Sequence, residues 1–221
     1  MDNSEQSVRI QTSFLNGIEK RFLIYLAGKQ PRWMTSDILT IIGFIGAVVI
    51  AAGYMLSNLD INYIWLSSLG FVINWYGDSL DGTLARTRNQ QRPVYGFYID
   101  HTVDAINEFI MFAGAGLSAF IDIRIALLLL IVYLLLTLNV SVNAHLKGEF
   151  KLTYAKLGPT EFRIIAIILN TLLIYIGVLR NCMNYICLAI LFILSTIYIV
   201  TIIKDSKYYA KKDPLPNHED K

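Results

Sequence analysis

Charge is scarce in this 221-residue chain: 16% of it is Asp, Glu, Lys or Arg, against 55% hydrophobic residues. A soluble domain of this size does not collect its apolar residues into near-continuous runs, whereas membrane spans do. The net charge of +2 leaves no broad positive field, so bulk electrostatics do not point to nucleic acid as a partner. Cysteine is nearly absent. Cys182 and Cys187 are too few for a disulfide framework, and a zinc site would need more ligands nearby. A secretory signal is also missing. The first thirty residues are polar and amphipathic rather than basic and then apolar, so the spans must themselves act as insertion signals.

What is present is a series of apolar runs. From Arg9 to Gly28 the residues Ile10, Phe14, Leu15, Ile18, Phe22, Tyr25 and Leu26 fall on one helical stripe, with Glu19, Lys20 and Arg21 elsewhere. This pattern suits a helix lying in the membrane interface, and Pro31 ends it. Packing on another subunit is the alternative use of the same stripe. Spans follow at about Asp37–Ser57, Asn62–Leu80, Val94–Phe120, Ala126–His145, Thr160–Val178 and Met183–Ile203. Thr35, Ser36 and Asp37 offer N-cap oxygens to the first. The third is longer than one bilayer needs, so its first turns can project into the aqueous face.

The expected fold is therefore an all-α integral membrane protein: six transmembrane helices preceded by an amphipathic interfacial helix. Its parts are a cytoplasmic N-terminus over 1–36, a membrane domain over 37–204 and a charged cytoplasmic tail over 205–221. The distribution of basic residues supports that count. Of the 19 Lys and Arg residues, six spans leave only Arg124 and Arg180 on one side. The others gather on the opposite side, which the positive-inside rule makes cytoplasmic, together with both termini. Arg88 and Arg92 are read as topology charges whose loss changes little.

The remaining unusual feature is acidic. Asp78 and Asp81 lie three apart near the end of the second span, and Asp100 and Asp104 lie four apart early in the third. Each pair shares a helix face, and a loop between them allows the two faces to meet. An ionised Asp at the centre of a membrane helix costs about 2.5–3.5 kcal/mol, so four approach ~10 kcal/mol, less near the interface. Two divalent cations would neutralise four carboxylates, and hard oxygen ligands suit Mg²⁺ or Mn²⁺. The pattern points to a two-metal phosphate site at a membrane face.

The segment Asp78-Ser-Leu-Asp81-Gly82-Thr-Leu-Ala85-Arg86, nine further residues, and then Gly96-Phe-Tyr-Ile-Asp100-His101-Thr-Val-Asp104 resembles the signature of the CDP-alcohol phosphotransferase family. These are integral membrane enzymes of phospholipid synthesis. The resemblance implies attack of an acceptor hydroxyl on a CDP-linked alcohol, with release of CMP. It implies two Mg²⁺ or Mn²⁺ ions held by Asp78, Asp81 and Asp100, with Asp104 as metal neighbour and general base. It carries CDP binding over to Gly82, Ala85, Arg86 and Gly96, and places Thr40 near the cytidine. The glycines would let a nucleotide approach the backbone, and Arg86 can make charge-assisted contacts to phosphate. A homodimer is implied as well.

The donor is either CDP-diacylglycerol with a water-soluble acceptor, or a CDP-aminoalcohol with a lipid hydroxyl as acceptor. His101 in Asp-His-x-x-Asp and Glu161 in Pro-Thr-Glu resemble the second branch, where such residues are candidates for activating the lipid hydroxyl. As plain residues, His101 is a polar group at a helix mouth and Glu161 an acid in a first helical turn. Arg163, near the same mouth, either holds a lipid phosphate or marks the cytoplasmic side. The rival class is a proton- or ion-coupled transporter, the usual meaning of intramembrane carboxylates. Transporters of that kind often carry an internal repeat, and residues 120–204 do not repeat the acidic motif.

Overall fold

The computed structural model describes residues 8–10, 15–147, 149–151 and 158–214. Its helices are α1 (Asn16–Lys29), α2 (Ser36–Leu56), α3 (Ile64–Thr87), α4 (Pro93–Gly116), α5 (Ile123–Lys147), α6 (Pro159–Tyr175) and α7 (Gly177–Lys212). Two three-residue strands, β1 (Val8–Ile10) and β2 (Glu149–Lys151), pair in parallel. The expected Phe14 position of the N-terminal stripe and the tail beyond Pro214 lie outside the described residues.

Helices α2 to α7 fall where the six spans were expected, with shifted ends. Among the described residues, three segments are long and apolar enough to cross a membrane: Ser36–Leu56, Ile123–Asn143 and Gly177–Lys212. The other three fall short for visible reasons. Helix α3 carries Asp78, Asp81 and Arg86, α4 carries Asp100, Asp104 and Glu108, and α6 has only 17 residues. The final helix begins earlier and ends later than the expected Met183–Ile203. Its extension reaches Lys212, and Asn143 of α5 holds it there, donating to Asp205 at 2.9 Å and accepting from the Tyr209 hydroxyl at 2.9 Å.

Helix α2 is the packing centre for the site, lying against both α3 and α4. Small residues make the α2–α3 approach possible. A Cβ at Gly77 would overlap the backbone of Gly43 and the Leu39 carbonyl, and one at Gly46 would overlap the backbone of Asn74. Such close small-residue contacts are a standard means of helix association where lipid removes the hydrophobic drive. Two polar ties add to them: Asn74 Nδ2 donates to the Gly43 carbonyl at 2.9 Å, and the Ser67 hydroxyl to that of Ile50 at 2.8 Å. Helices α3 and α4, in contrast, make little direct backbone contact. Their acidic faces look into a gap roofed by α2.

Helix α1 starts at Asn16 and buries Leu23 and Ala27 beside Met34, Leu39, Leu80 and Leu84. Of the expected stripe, Ile18, Phe22 and Tyr25 stay exposed. The helix is tied inward by Glu19, which accepts from Trp75 Nε1 at 2.9 Å and from the Thr160 hydroxyl at 2.5 Å. The turn from α1 into α2 is held by Arg88. Its guanidinium donates to the carbonyls of Met34, Gln30 and Pro31 at 2.5, 3.0 and 2.9 Å. Reading Arg88 only as a topology charge therefore missed a fixed structural role. Thr35 supplies the expected N-cap of α2, accepting from the Ile38 N–H at 3.2 Å.

Candidate active site

The α3–α4 connection is shorter than the nine-residue spacer suggests, because α3 continues to Thr87 and α4 opens with Pro93 at its first turn. Asn89 turns the chain with φ of 54°, a left-handed conformation that Asn tolerates. Proline fits there because the first helical N–H has no intrahelical acceptor. Seven residues after Pro93, α4 presents Asp100, and one turn later Asp104.

Asp78, Asp100 and Asp104 converge. Each offers a carboxylate oxygen within 4.8 Å of the others, and all three are half-buried. Asp81 lines the same cavity with Thr40, Gly43, Val103 and Asn107. Its own oxygens are engaged: Oδ2 accepts from the Thr40 hydroxyl at 2.7 Å and Oδ1 from the Gly82 N–H at 2.5 Å. Thr40 is thus set beside the acidic cluster, one helical turn into α2.

One strong positive charge faces the acids from α6. Arg163 Nη2 donates to Asp78 Oδ2 at 2.5 Å, and Nε donates to Asn74 Oδ1 at 2.9 Å. Asn74 lies one turn before Asp78, so both of Arg163's partners come from the same face of α3. A single guanidinium offsets only part of the mutual repulsion of three carboxylates. The donor set is all oxygen and anionic, and its convergence fits a hard divalent cation of the Mg²⁺ or Mn²⁺ type.

The residues expected to bind the nucleotide occupy the C-terminal end of α3 and the start of α4. Arg86 folds back along its helix, donating to the Thr83 hydroxyl at 3.1 Å and passing over Gly82. Ala85 lines a second cavity, with Thr35, Ser36, Asp37, Gln90 and Arg92. Arg92 pairs there with Asp37 and lies over the Tyr95 ring. Gly96 faces open space, with nothing near the place a Cβ would take.

His101 and Glu161 stand apart from the acidic cluster. His101 Nδ1 is 3.0 Å from the Phe97 carbonyl of its own helix, and the two rings lie 4.1 Å apart. Glu161 is buried; it accepts from the Gly158 N–H at 2.9 Å, closing the start of α6, and from the Leu15 N–H at 3.0 Å.

The sequence pattern did not single out Asn74, Asn107 or Glu108. The available signal was helical spacing: Asn74 precedes Asp78 by four residues, while Asn107 and Glu108 follow Asp104 by three and four. Apolar neighbours hid all three.

Carboxylates from two helices thus converge on a small cavity that Thr40, Gly43, Val103 and Asn107 also line. Residues 33–202 match the CDP-alcohol phosphatidyltransferase family. The chain is a member of that family. It is also 32% identical over 125 residues to an archaetidylinositol phosphate synthase of Methanothermobacter thermautotrophicus. The similarity covers 55% of this chain and 60% of that relative, so it spans about three fifths of the curated protein it matches.

Proposed function

We propose that the protein is a divalent-metal-dependent phosphotransferase of phospholipid synthesis, acting on a CDP-linked alcohol at the cytoplasmic membrane face. The convergence of Asp78, Asp100 and Asp104 carries this reading, together with family membership. Helices α2 to α7 then form six crossings. That arrangement places both termini, and the motif, on the side that holds nearly all the basic residues. The exposed Ile18, Phe22 and Tyr25 of α1 meet the membrane interface.

Asp78, Asp81 and Asp100 would hold the metal ions, with Asp104 beside them. Bound Mg²⁺ or Mn²⁺ would supply charge neutralisation at the diphosphate. Gly82, Ala85, Arg86 and Gly96 receive the CDP portion, and Thr40 fixes Asp81 by its hydrogen bond. Asp104 takes the proton from the acceptor hydroxyl. The freed oxygen bonds to the phosphorus distal to cytidine, the bond from that phosphorus to CMP breaks, and CMP departs.

A relative named for archaetidylinositol phosphate favours a lipid-linked CDP donor and a phosphorylated polyol as acceptor. Neither His101 nor Glu161 lines the acidic cavity: His101 Nδ1 lies against the Phe97 carbonyl, and Glu161 accepts from the Gly158 and Leu15 N–H groups. The test is CMP release by the purified chain, given Mg²⁺, CDP-diacylglycerol or CDP-ethanolamine, and matching acceptors. CMP should appear with the lipid-linked donor. No CMP from any combination, with no cytidine nucleotide raising the melting temperature, would remove the enzyme reading.

A further inference from the structure

Helix α6 brings Arg163 to the acidic cluster, yet little apolar packing fixes it there. Of its 17 residues, Glu161, Asn170 and Leu173 are the buried ones. Where lipid removes the hydrophobic drive, polar ties between helices set their positions. Toward the end of α6, Asn170 Oδ1 accepts from the Tyr54 hydroxyl of α2 at 2.8 Å, and its Nδ2 donates to the Ser68 hydroxyl of α3 at 3.2 Å. At the start of α6, two carboxylates join it to the α1 segment in opposite senses. Glu161 accepts from the Leu15 N–H at 3.0 Å, and Glu19 accepts from the Thr160 hydroxyl at 2.5 Å. The same Glu19 oxygen, Oε1, accepts from Trp75 Nε1 of α3 at 2.9 Å. One atom of α1 therefore joins α3 to α6. Thr160 lies three residues before Arg163, and Trp75 three before Asp78. Each tied residue thus shares a helix side with one member of the Arg163–Asp78 pair.

We infer that Glu19 is a positioning residue for the acidic cluster: by tying Thr160 to Trp75 it holds α6 where Arg163 meets Asp78. Glu19 does not line the acidic cavity, so it acts through Arg163. The guanidinium and a divalent cation compete for the Asp78 carboxylate, because a positive charge beside a ligand opposes the entry of another. The seat of α6 therefore sets how tightly the cluster takes its cation. Both donors need an accepting oxygen and neither needs a charge, so glutamine can replace Glu19 and alanine cannot. This inference rests on the cation-binding part of the phosphotransferase reading and extends it to a residue of α1.

The test is Mn²⁺ affinity of the full-length protein in detergent, read by electron paramagnetic resonance, alongside CMP release. Arg163→Gln should tighten Mn²⁺ binding, and Glu19→Ala should tighten it by about threefold or more, since Asp78 loses its competing charge. Glu19→Gln should stay within about 1.5-fold of the unaltered protein, because its amide oxygen keeps both bonds. In the Arg163→Gln background, Glu19→Ala should shift affinity by less than about 1.5-fold, as expected of two residues acting through one contact. For CMP release, Glu19→Ala should lower kcat by about fivefold or more with the donor KM within about twofold, and glutamine should restore it. Thr160→Val removes the α6 donor alone and should reproduce the Mn²⁺ shift, which keeps the test decisive where the alanine variant fails to fold.

Unchanged Mn²⁺ affinity in both Glu19→Ala and Thr160→Val overturns the inference and leaves the phosphotransferase reading standing. Equal shifts in Glu19→Ala and Glu19→Gln overturn it too, since the charge and not the tie would then be responsible. So does a full shift from Glu19→Ala in the Arg163→Gln background. If the expected Mn²⁺ pattern appears but no donor yields CMP, the phosphotransferase reading falls and the positioning role stands. If the unaltered protein binds no Mn²⁺, both fall together.

Discussion

Arg163→Gln is the most informative perturbation away from the carboxylates themselves. The Arg163 and Asp78 side chains keep 14% and 21% of their exposure and meet at 2.5 Å. Breaking a fully buried pair by removing one partner costs about 3–5 kcal/mol, and the residual solvent access brings that to about 3 kcal/mol. Loss of the bond from Arg163 Nε to Asn74 adds about 1 kcal/mol, part of which glutamine restores. At about 2–4 °C per kcal/mol for a chain of this size, the metal-free variant should melt roughly 6–16 °C below the unaltered protein. Added Mg²⁺ should return much of that difference, because the cation offsets the repulsion that Arg163 relieved. The assay is thermal unfolding in detergent, in EDTA and in Mg²⁺. Equal melting of both proteins in EDTA would refute the reasoning, and so would a deficit that Mg²⁺ leaves untouched.

Three further outcomes follow from the same geometry. Arg88→Gln should destabilise the protein by about 2–3 kcal/mol in thermal unfolding, since three carbonyls of the α1–α2 turn lose a charged donor. Gly77→Ala should cost about 3 kcal/mol, read by the same method, because its Cβ meets backbone that cannot move aside. Asp104→Asn should bind a CDP-linked donor with near-normal affinity while releasing CMP at least a hundredfold more slowly; a normal rate would take the base role away from Asp104.

The acidic cluster was legible because it is carried by local spacing. Asp78, Asp100 and Asp104 could be placed on two facing helix surfaces from the intervals of three and four residues alone, and they do converge. Asp81 reaches the same cavity, yet its engagement by Thr40 depends on how α2 packs on α3, which the interval does not encode. The same holds for Arg163 and Arg88. Both lie far in sequence from the groups they hold, and nothing near either names its partners. Hydropathy marked α2, α5 and α7 clearly, while the charged residues of α3 and α4 lower the apolar character of those helices. The long end of α7 was hidden by lysines, whose chains extend a helix as readily as they end a span.

The account stands on cation binding by acids from α3 and α4, and Mn²⁺ titration followed by electron paramagnetic resonance measures that directly. The unaltered protein should bind Mn²⁺ in competition with Mg²⁺, and Asp78→Asn, Asp81→Asn and Asp100→Asn should each weaken binding at least tenfold. Binding that persists unchanged in all three variants would contradict it.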